Sequence, residues 1–212
     1  MVIAIDGPAG AGKSTVARAV AESLGFTYLD SGAMYRCVAL TCLEWGADPE
    51  QSGEATSTAE SIEISFEDDQ VLIDGVDVSE EIRSHEVSEA ASRVAVHPGV
   101  RAAMITEQRR LIESGNYIAE GRDIGTVVSP ESPLKIFLTA SPEVRAERRA
   151  EQTGGDAREI LVSQLERDQR DSEREHGALK VAEDAVEVDT SDLTREEVVE
   201  RIAGLARERG LV

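Results

Sequence analysis

The 212-residue sequence predicts an α/β fold: a parallel sheet with helices on both faces, carrying an inserted, smaller antiparallel region. Three observations predict it. The chain opens with a short apolar run, Val2-Ile3-Ala4-Ile5-Asp6, that feeds a glycine-rich loop and then a helix-forming stretch. Apolar runs of strand length then alternate with helical patterns along most of the chain. From about residue 50 that texture gives way to polar/apolar alternation broken by turn signals.

Residues 2–6 read as a fully buried strand, and residues 13–24 as the helix after it, closed by Gly25. Phe26-Thr27-Tyr28-Leu29-Asp30 is a second short strand. A helix begins in Ser31-Gly32-Ala33-Met34-Tyr35-Arg36, runs to about Trp45 and is stopped by Gly46 and Pro49. Ser61 to Glu67 alternates, as do Gln70 to Asp74 and Val76 to Val78, with Asp68-Asp69 and Asp74-Gly75 as turns. Glu80 to Ala95 reads as helical, Pro98 as an interruption, and Val100 to Ser114 as a helix ending at Gly115. Tyr117 to Glu120, Lys135 to Ala140 and Ala185 to Asp189 are further strand-length apolar runs. Helices follow over about 142–152, 156–174 and 194–209, with Thr153-Gly154-Gly155-Asp156 as a flexible joint. There is no internal repeat or low-complexity segment.

The length suits one domain, or one domain with an insertion. Apolar residues make up 41% but aromatics only 3%, so the core must rest on Val, Ile, Leu and Ala. Lys and Arg number 22 against 42 Asp and Glu, a net charge of −20. Such an excess argues against nucleic acid or an acidic membrane as a partner, because both are polyanions. It also makes any local arginine cluster more informative. Cys37 and Cys42 have neither metal-ligand nor disulfide-framework spacing and read as reduced core thiols. The apolar opening is too short for a signal peptide or membrane span, so a cytoplasmic protein is expected, and nothing requires more than a monomer.

Gly7-Pro8-Ala9-Gly10-Ala11-Gly12-Lys13-Ser14 is a complete G-x-x-x-x-G-K-[ST] phosphate-binding loop. Its glycines let the backbone approach an anion, and its N–H groups with the following helix terminus surround phosphates. Lys13 would reach the β- and γ-phosphates of a nucleotide and the Ser14 hydroxyl would hold Mg²⁺. A second informative segment, Glu120-Gly121-Arg122-Asp123-Ile124-Gly125-Thr126-Val127-Val128, follows an apolar strand, where open α/β sheets bind ligands. Arg122 and Asp123 set a planar cation beside an acceptor on a tight turn. Arg36 is another cation near a strand end. Arg167, Arg170, Asp171 and Arg174 stand at i, i+3, i+4 and i+7, which predicts one helix face, and Arg145, Arg148 and Arg149 precede the glycine joint. Next to a phosphate loop, such arginines suit a lid that closes on a transferring phosphoryl group and expels water. A solvated, salt-bridged helix explains the same spacing. His85, His97 and His176 have no metal spacing or nucleophile partner.

Taken in order, the phosphate loop, Leu29-Asp-Ser-Gly-Ala-Met-Tyr-Arg36, Glu120 to Val128, Lys135-Ile-Phe-Leu138 and the Arg167 to Arg174 helix resemble bacterial cytidylate kinases. Val78 to Val87 and Ala90 to Ala95 resemble the insert and following helix of that family. The resemblance implies a P-loop kinase fold and transfer of the ATP γ-phosphate to CMP or dCMP. It implies one domain over 1–212, with an NMP-binding insert and helices at 50–115 and a lid at 146–166. It assigns ATP to Gly7 through Thr15 and Mg²⁺ to Ser14, and catalytic roles to Lys13, Arg122, Arg167 and Arg174. Arg36 and Arg122 would clamp the acceptor phosphate, with Arg174 near it or the base. Ser31, Ser92, Arg101 and Asp123 would face the nucleoside, and Arg167 and Asp171 the ribose. An aspartate such as Asp123 accepts from the cytosine N4 amine and repels the uracil O4, which is a chemical reason for the choice of base.

Two departures stand out: Gly177-Ala178-Leu179 replaces the family's Pro-Leu, and Ser129-Pro130 its Phe-Pro. Two other readings remain at this point. One is a different small-molecule kinase, with another nucleoside monophosphate or a shikimate-like acid as acceptor. The other is a nucleotide-switch protein, which the absence of an Asn-Lys-x-Asp segment disfavours.

Overall fold

The computed structural model describes residues 1–67 and 70–212, so the turn expected at Asp68-Asp69 lies outside the described residues. In chain order the elements are β1 (Val2–Asp6), α1 (Lys13–Leu24), β2 (Thr27–Asp30), α2 (Ser31–Trp45) and α3 (Ser52–Ser61). Then come β3 (Ile64–Glu67), β4 (Gln70–Ile73), β5 (Val76–Asp77), α4 (His85–Val94) and α5 (Pro98–Leu111). The chain continues with β6 (Tyr117–Gly121), β7 (Leu134–Thr139), α6 (Pro142–Thr153), α7 (Ala157–Glu173), β8 (Val186–Asp189) and α8 (Arg195–Glu208). They form two compact units, Met1–Asp30 with Leu111–Val212, and Ser31–Arg110.

In the first unit a parallel sheet runs in the order β2-β6-β1-β7-β8. All of β1 is buried, as a central parallel strand must be. Its register sets Asp6 beside Gly121 of β6 and Phe137 of β7, so the C-terminal ends of three strands lie side by side. Ile3, Ile5, Ile118, Leu134, Ile136 and Leu138 from the sheet meet Val16, Ala17 and Val20 of α1 and Val198 and Ile202 of α8 in one core. Branched aliphatic side chains pack densely on a pleated surface, which is how a chain this poor in aromatics fills its interior.

The three C-terminal helices fall where their spacing predicts because each start carries a cap. The Ser141 hydroxyl accepts the Val144 N–H with Pro142 in the first turn, and the Asp156 carboxylate accepts from Arg158 and Glu159. Thr194 and Glu197 form a capping box. After β6 the structure adds an element that periodicity does not announce, a π-helical turn over Ile124–Val128.

The second unit joins α2 to α5 with the expected antiparallel sheet, β3-β4-β5. It differs from the sequence reading in three places. Helix α3 was not expected, because its Ser/Thr/Gly-rich sequence has weak helix propensity. Packing on α2 overrides that, with Ala55, Thr58 and Ala59 buried. The helix expected over 80–95 is a 3-10 turn at Glu81–Arg83 followed by α4, because the Ser84 side chain accepts the Val87 N–H and starts a new helix. Pro98 begins α5 rather than interrupting anything, since a first-turn proline lacks only an N–H that would go unbonded.

Candidate active site

The glycine loop leaves β1 at Asp6 and enters α1 at Lys13. Gly7 has φ +152°, and a Cβ there would stand 2.0 Å from the Leu138 carbonyl oxygen, so only glycine passes. At Gly10, φ +77°, a Cβ would come within 2.7 Å of Gln164 Nε2 on α7. Lys13 is buried and folds back over the loop, its Nζ donating to the Pro8 carbonyl at 2.8 Å. Burial, and next the Arg122 guanidinium, push its pKa down to about 7. Ser14 and Thr15 are exposed at the start of α1.

Glu120, at the end of β6, is buried and accepts hydrogen bonds from the Tyr28 hydroxyl and from Ser14. Burial and then the charge of Asp30 raise its pKa, against the pull of Lys13. Sequence reasoning quoted Glu120 but gave it no role. The signal that could have found it is an acidic residue closing an apolar strand that pairs with the loop's own strand. A hydroxyl and a carboxylate in contact are oxygen donors of the kind a hard divalent cation takes. Among the described residues no group of three or more His, Cys, Asp and Glu could hold a metal by itself. Mg²⁺ fits such a sparse site because it takes one or two protein oxygens and completes its shell with phosphate and water.

The arginines are organised by two aspartates of α7. Asp171, 1% exposed, accepts from Arg122 Nε at 2.9 Å on Oδ2 and from Arg174 Nη2 on Oδ1. Burial would raise the Asp171 pKa, but Arg122 and then Arg174 hold it below the usual carboxylate range. Arg145 Nη1 donates to Asp168 Oδ2 at 2.6 Å and to the Ala9 carbonyl at 2.8 Å, and Asp168 Oδ1 accepts the Ala9 N–H at 3.3 Å. The backbone N–H and C=O of one loop residue, Ala9, are thus held by α7 and α6. From sequence Arg145 counts among the arginines that suit a lid and Asp168 has no role, whereas the structure sets both against the backbone of Ala9.

The residues expected to share a face of α7, Arg167, Arg170 and Asp171, lie on its partly buried side, while Glu166, Gln169, Ser172 and Glu173 are exposed. Gln164 and Asp171 are buried on α7, and Arg167, Asp168 and Arg170 are half-buried beside them, with Arg170 Nε toward the Glu166 carbonyl at 3.4 Å. Arg174 follows the last helical residue rather than sitting within the helix. Arg167 is half-buried, and its charge acts on both Lys13 and Asp171. Asp171, expected at a ribose, here holds two guanidinium groups. Asp123 is buried at the start of the π-helical turn. Lys13, Ser14, Arg122, Arg167, Asp171 and Arg174 are therefore brought together with Glu120.

Four other expected site residues belong to the unit Ser31–Arg110. Ser31 opens α2 and is buried, and Arg36 is half-buried on the same helix. Ser92 is buried on α4, which packs against α2, and its hydroxyl has no hydrogen-bond partner among the described residues. Arg101, buried on α5, donates from Nη1 to the Ala95 carbonyl at 3.4 Å. Its guanidinium carbon lies 5.6 Å from the centroid of the Tyr35 ring, a cation–π pairing between α5 and α2.

The family model described as cytidylate kinase matches residues 3–208. The chain is 46% identical over 205 residues to a cytidylate kinase of Caldanaerobacter subterraneus subsp. tengcongensis, covering 94% of this chain and 92% of that protein. It is 44% identical over 215 residues to a cytidylate kinase of Mycobacterium leprae, covering 99% and 96%. Among solved structures it is similar to a gluconokinase from Sinorhizobium meliloti, with TM-score 0.53, 20% identity and coverage of 99% and 93%. A shikimate kinase from Bacteroides thetaiotaomicron gives TM-score 0.52, 14% identity and coverage of 98% of both chains. These structures bear on the fold alone, and they bear out the P-loop kinase architecture.

Proposed function

This chain belongs to the cytidylate kinase family, and we propose how its residues carry the transfer of the ATP γ-phosphate to CMP or dCMP. The reaction joins an oxygen of the acceptor phosphate to the γ-phosphorus and breaks the bond to the β-γ bridging oxygen, releasing ADP. The attacking oxygen is anionic at neutral pH, so the enzyme needs no strong base. Its task is to bring two anions together and neutralise the charge that spreads over the transferring group.

The loop from Gly7 through Thr15 cradles the ATP phosphates with its N–H groups, and Lys13 turns from the Pro8 carbonyl to the β- and γ-oxygens. Arg122, Arg167 and Arg174 balance the charge of the transferring phosphoryl. Ser31, Arg36, Ser92, Arg101, Arg122, Asp123, Asp171 and Arg174 bind CMP. Arg36 and Arg122 take its phosphate, Asp123 accepts from the cytosine amine, and Arg101 donates to the base. Ser14 and Glu120 would hold Mg²⁺, which would supply Lewis-acid neutralisation of the phosphate charge. Residues 50–115 serve as the NMP-binding insert and 146–166 as the lid. The protein acts as a cytoplasmic monomer, and no helix among the described residues is long and apolar enough to cross a membrane.

The observation that carries this reading is the gathering of Arg122, Arg167 and Arg174 around the loop's buried Lys13, whose pKa is lowered first by burial and then by Arg122 and Arg167, in a chain of net charge −20. That density of positive charge suits a polyanionic ligand. The test is a coupled ADP-release assay with ATP–Mg²⁺ and a panel of CMP, dCMP, UMP, AMP and shikimate. Stimulation by CMP or dCMP well above the others is expected. ATP hydrolysis that ignores every acceptor would sink the reading.

A further inference from the structure

The π-helical turn after Asp123 is capped from elsewhere. Within it, the N–H groups of Val127 and Val128 return to the Asp123 carbonyl at 2.8 and 3.2 Å, and the Ser129 N–H to Ile124 at 2.7 Å. A helical turn leaves its first N–H groups without partners of its own. An aspartate just before the turn ordinarily takes them with its side chain. Asp123 occupies that position, yet its carboxylate makes no capping hydrogen bond. The orphan groups go to Asp6, with Ile124 N–H donating to Oδ1 at 2.9 Å and Gly125 N–H to Oδ2 at 2.8 Å.

Asp6 ends β1, is 5% exposed, and lies 118 residues from Ile124 in sequence. Its register partner Gly121 immediately precedes Arg122. Gly125 is suited to the contact, since a Cβ there would stand 3.4 Å from Asp6 Oδ2 and 3.2 Å from Lys135 Cδ. A carboxylate buried this deeply is costly unless its oxygens are bonded, and two consecutive backbone donors meet that need. Burial pushes the Asp6 carboxyl up to about 6 even so, and the N–H groups of Gly125 and Ile124 oppose the rise.

We propose that Asp6 is a positioning residue for acceptor recognition: it caps the turn from the neighbouring strand, fixing the backbone that carries Arg122 and Asp123 and relieving Asp123 of the cap. This rests on the reading of Arg122 and Asp123 as CMP ligands. It also ties the donor loop to the acceptor turn through one side chain, because Gly7 follows Asp6 directly.

The test is Asp6→Asn, which is nearly isosteric. An amide offers one acceptor and sets its NH₂ against the second N–H, so one anchor is lost. The expected result is a rise in KM for CMP of about tenfold, with KM for ATP changed less than about twofold. The preference for CMP over UMP in kcat/KM falls by a similar factor, and amide hydrogen exchange at Ile124 or Gly125 quickens. Equal effects on ATP and CMP, or lower thermal stability with CMP kinetics unchanged, overturn the proposal.

Asp123→Ala, made alongside, separates the two readings. If it leaves the CMP/UMP ratio intact, Asp123 is not a base ligand, and the Asp6 role is then decided by KM for CMP alone. Hydrogen exchange in the wild-type protein needs no variant: slow exchange at Ile124 and Gly125 supports the cap, and fast exchange at both overturns it.

Discussion

In the parallel-sheet unit the site's cations rest against carboxylates, whereas in the unit Ser31–Arg110 the expected ligands Ser31, Ser92 and Arg101 are buried on helices. Arg122 and Arg174 share Asp171, Arg145 holds Asp168, and Lys13 feels the charge of Glu120. In the other unit Arg101 lies over the Tyr35 ring and against the Ala95 carbonyl, and the Ser92 hydroxyl has no hydrogen-bond partner among the described residues. The contrast has a thermodynamic meaning. Charges already paired inside the free protein contribute to folding as well as to chemistry. A hydroxyl without a partner contributes nothing to folding by hydrogen bonding, and its value appears when a ligand completes it.

The largest effect expected is at the loop. Lys13→Ala removes the cation that would meet the β- and γ-phosphates, and kcat should fall about 10³-fold or more in the coupled assay. Near-normal turnover would remove Lys13 from the donor role. Next comes Asp171→Asn, which leaves the half-buried Arg122 and Arg174 against a buried neutral side chain. Breaking a buried pair costs about 3 kcal/mol, a drop in Tm of roughly 6–12 °C for a chain of this size. The exposed pair Arg207–Glu200 is the control: Glu200→Gln should leave Tm within about a degree. If the two variants melt alike, the paired charges are not structural, and the contrast between the units collapses.

Ser92→Ala should do the opposite of Asp171→Asn. No hydrogen bond is lost in the free protein, so Tm should stay within about 2 °C. KM for CMP should rise about fivefold to tenfold if the hydroxyl bonds the nucleoside. A fall in Tm with KM unchanged would show that Ser92 serves packing.

These predictions also mark where the sequence was readable. The donor loop was legible because its chemistry is contiguous: Gly7, Gly10, Gly12, Lys13 and Ser14 all follow from one local backbone path. Strands β1, β6 and β7 were legible because a strand buried on both faces leaves an unbroken apolar run. Helix α3 was not, since burial of Ala55 and Ala59 against α2 outweighs a Ser/Thr-rich propensity. The roles of Asp6, Glu120, Arg145 and Asp168 were hidden for a different reason. Each depends on which strand ends and helices become neighbours, and the placement of β6 beside β1 is not written in any periodicity. The family resemblance named Arg122 and Asp171 as ligands, but only the structure shows one holding the other in the free protein.

The smallest effect is a proton. With its pKa lowered to about 7 by burial and by Arg122, Lys13 is about half neutral at pH 7 in the free protein. The sign follows from linkage. Its folded pKa lies below the unfolded value, so above pH 7 the unfolded chain binds more protons, and Lys13 adds stability as pH rises toward 10. Asp6, raised to about 6, acts inversely, and its contribution falls as pH rises from about 4 to 6. Binding ATP brings several negative charges to Lys13 and restores its ammonium form. ATP–Mg²⁺ binding should therefore take up about half a proton at pH 7 and approach one at pH 8. Calorimetry in buffers of different ionisation enthalpy measures this uptake, and Lys13→Arg, charged throughout, should abolish it. A binding enthalpy independent of buffer at pH 8 would mean that Lys13 is already fully charged, with the carboxylates around the loop outweighing both its burial and the Arg122 charge.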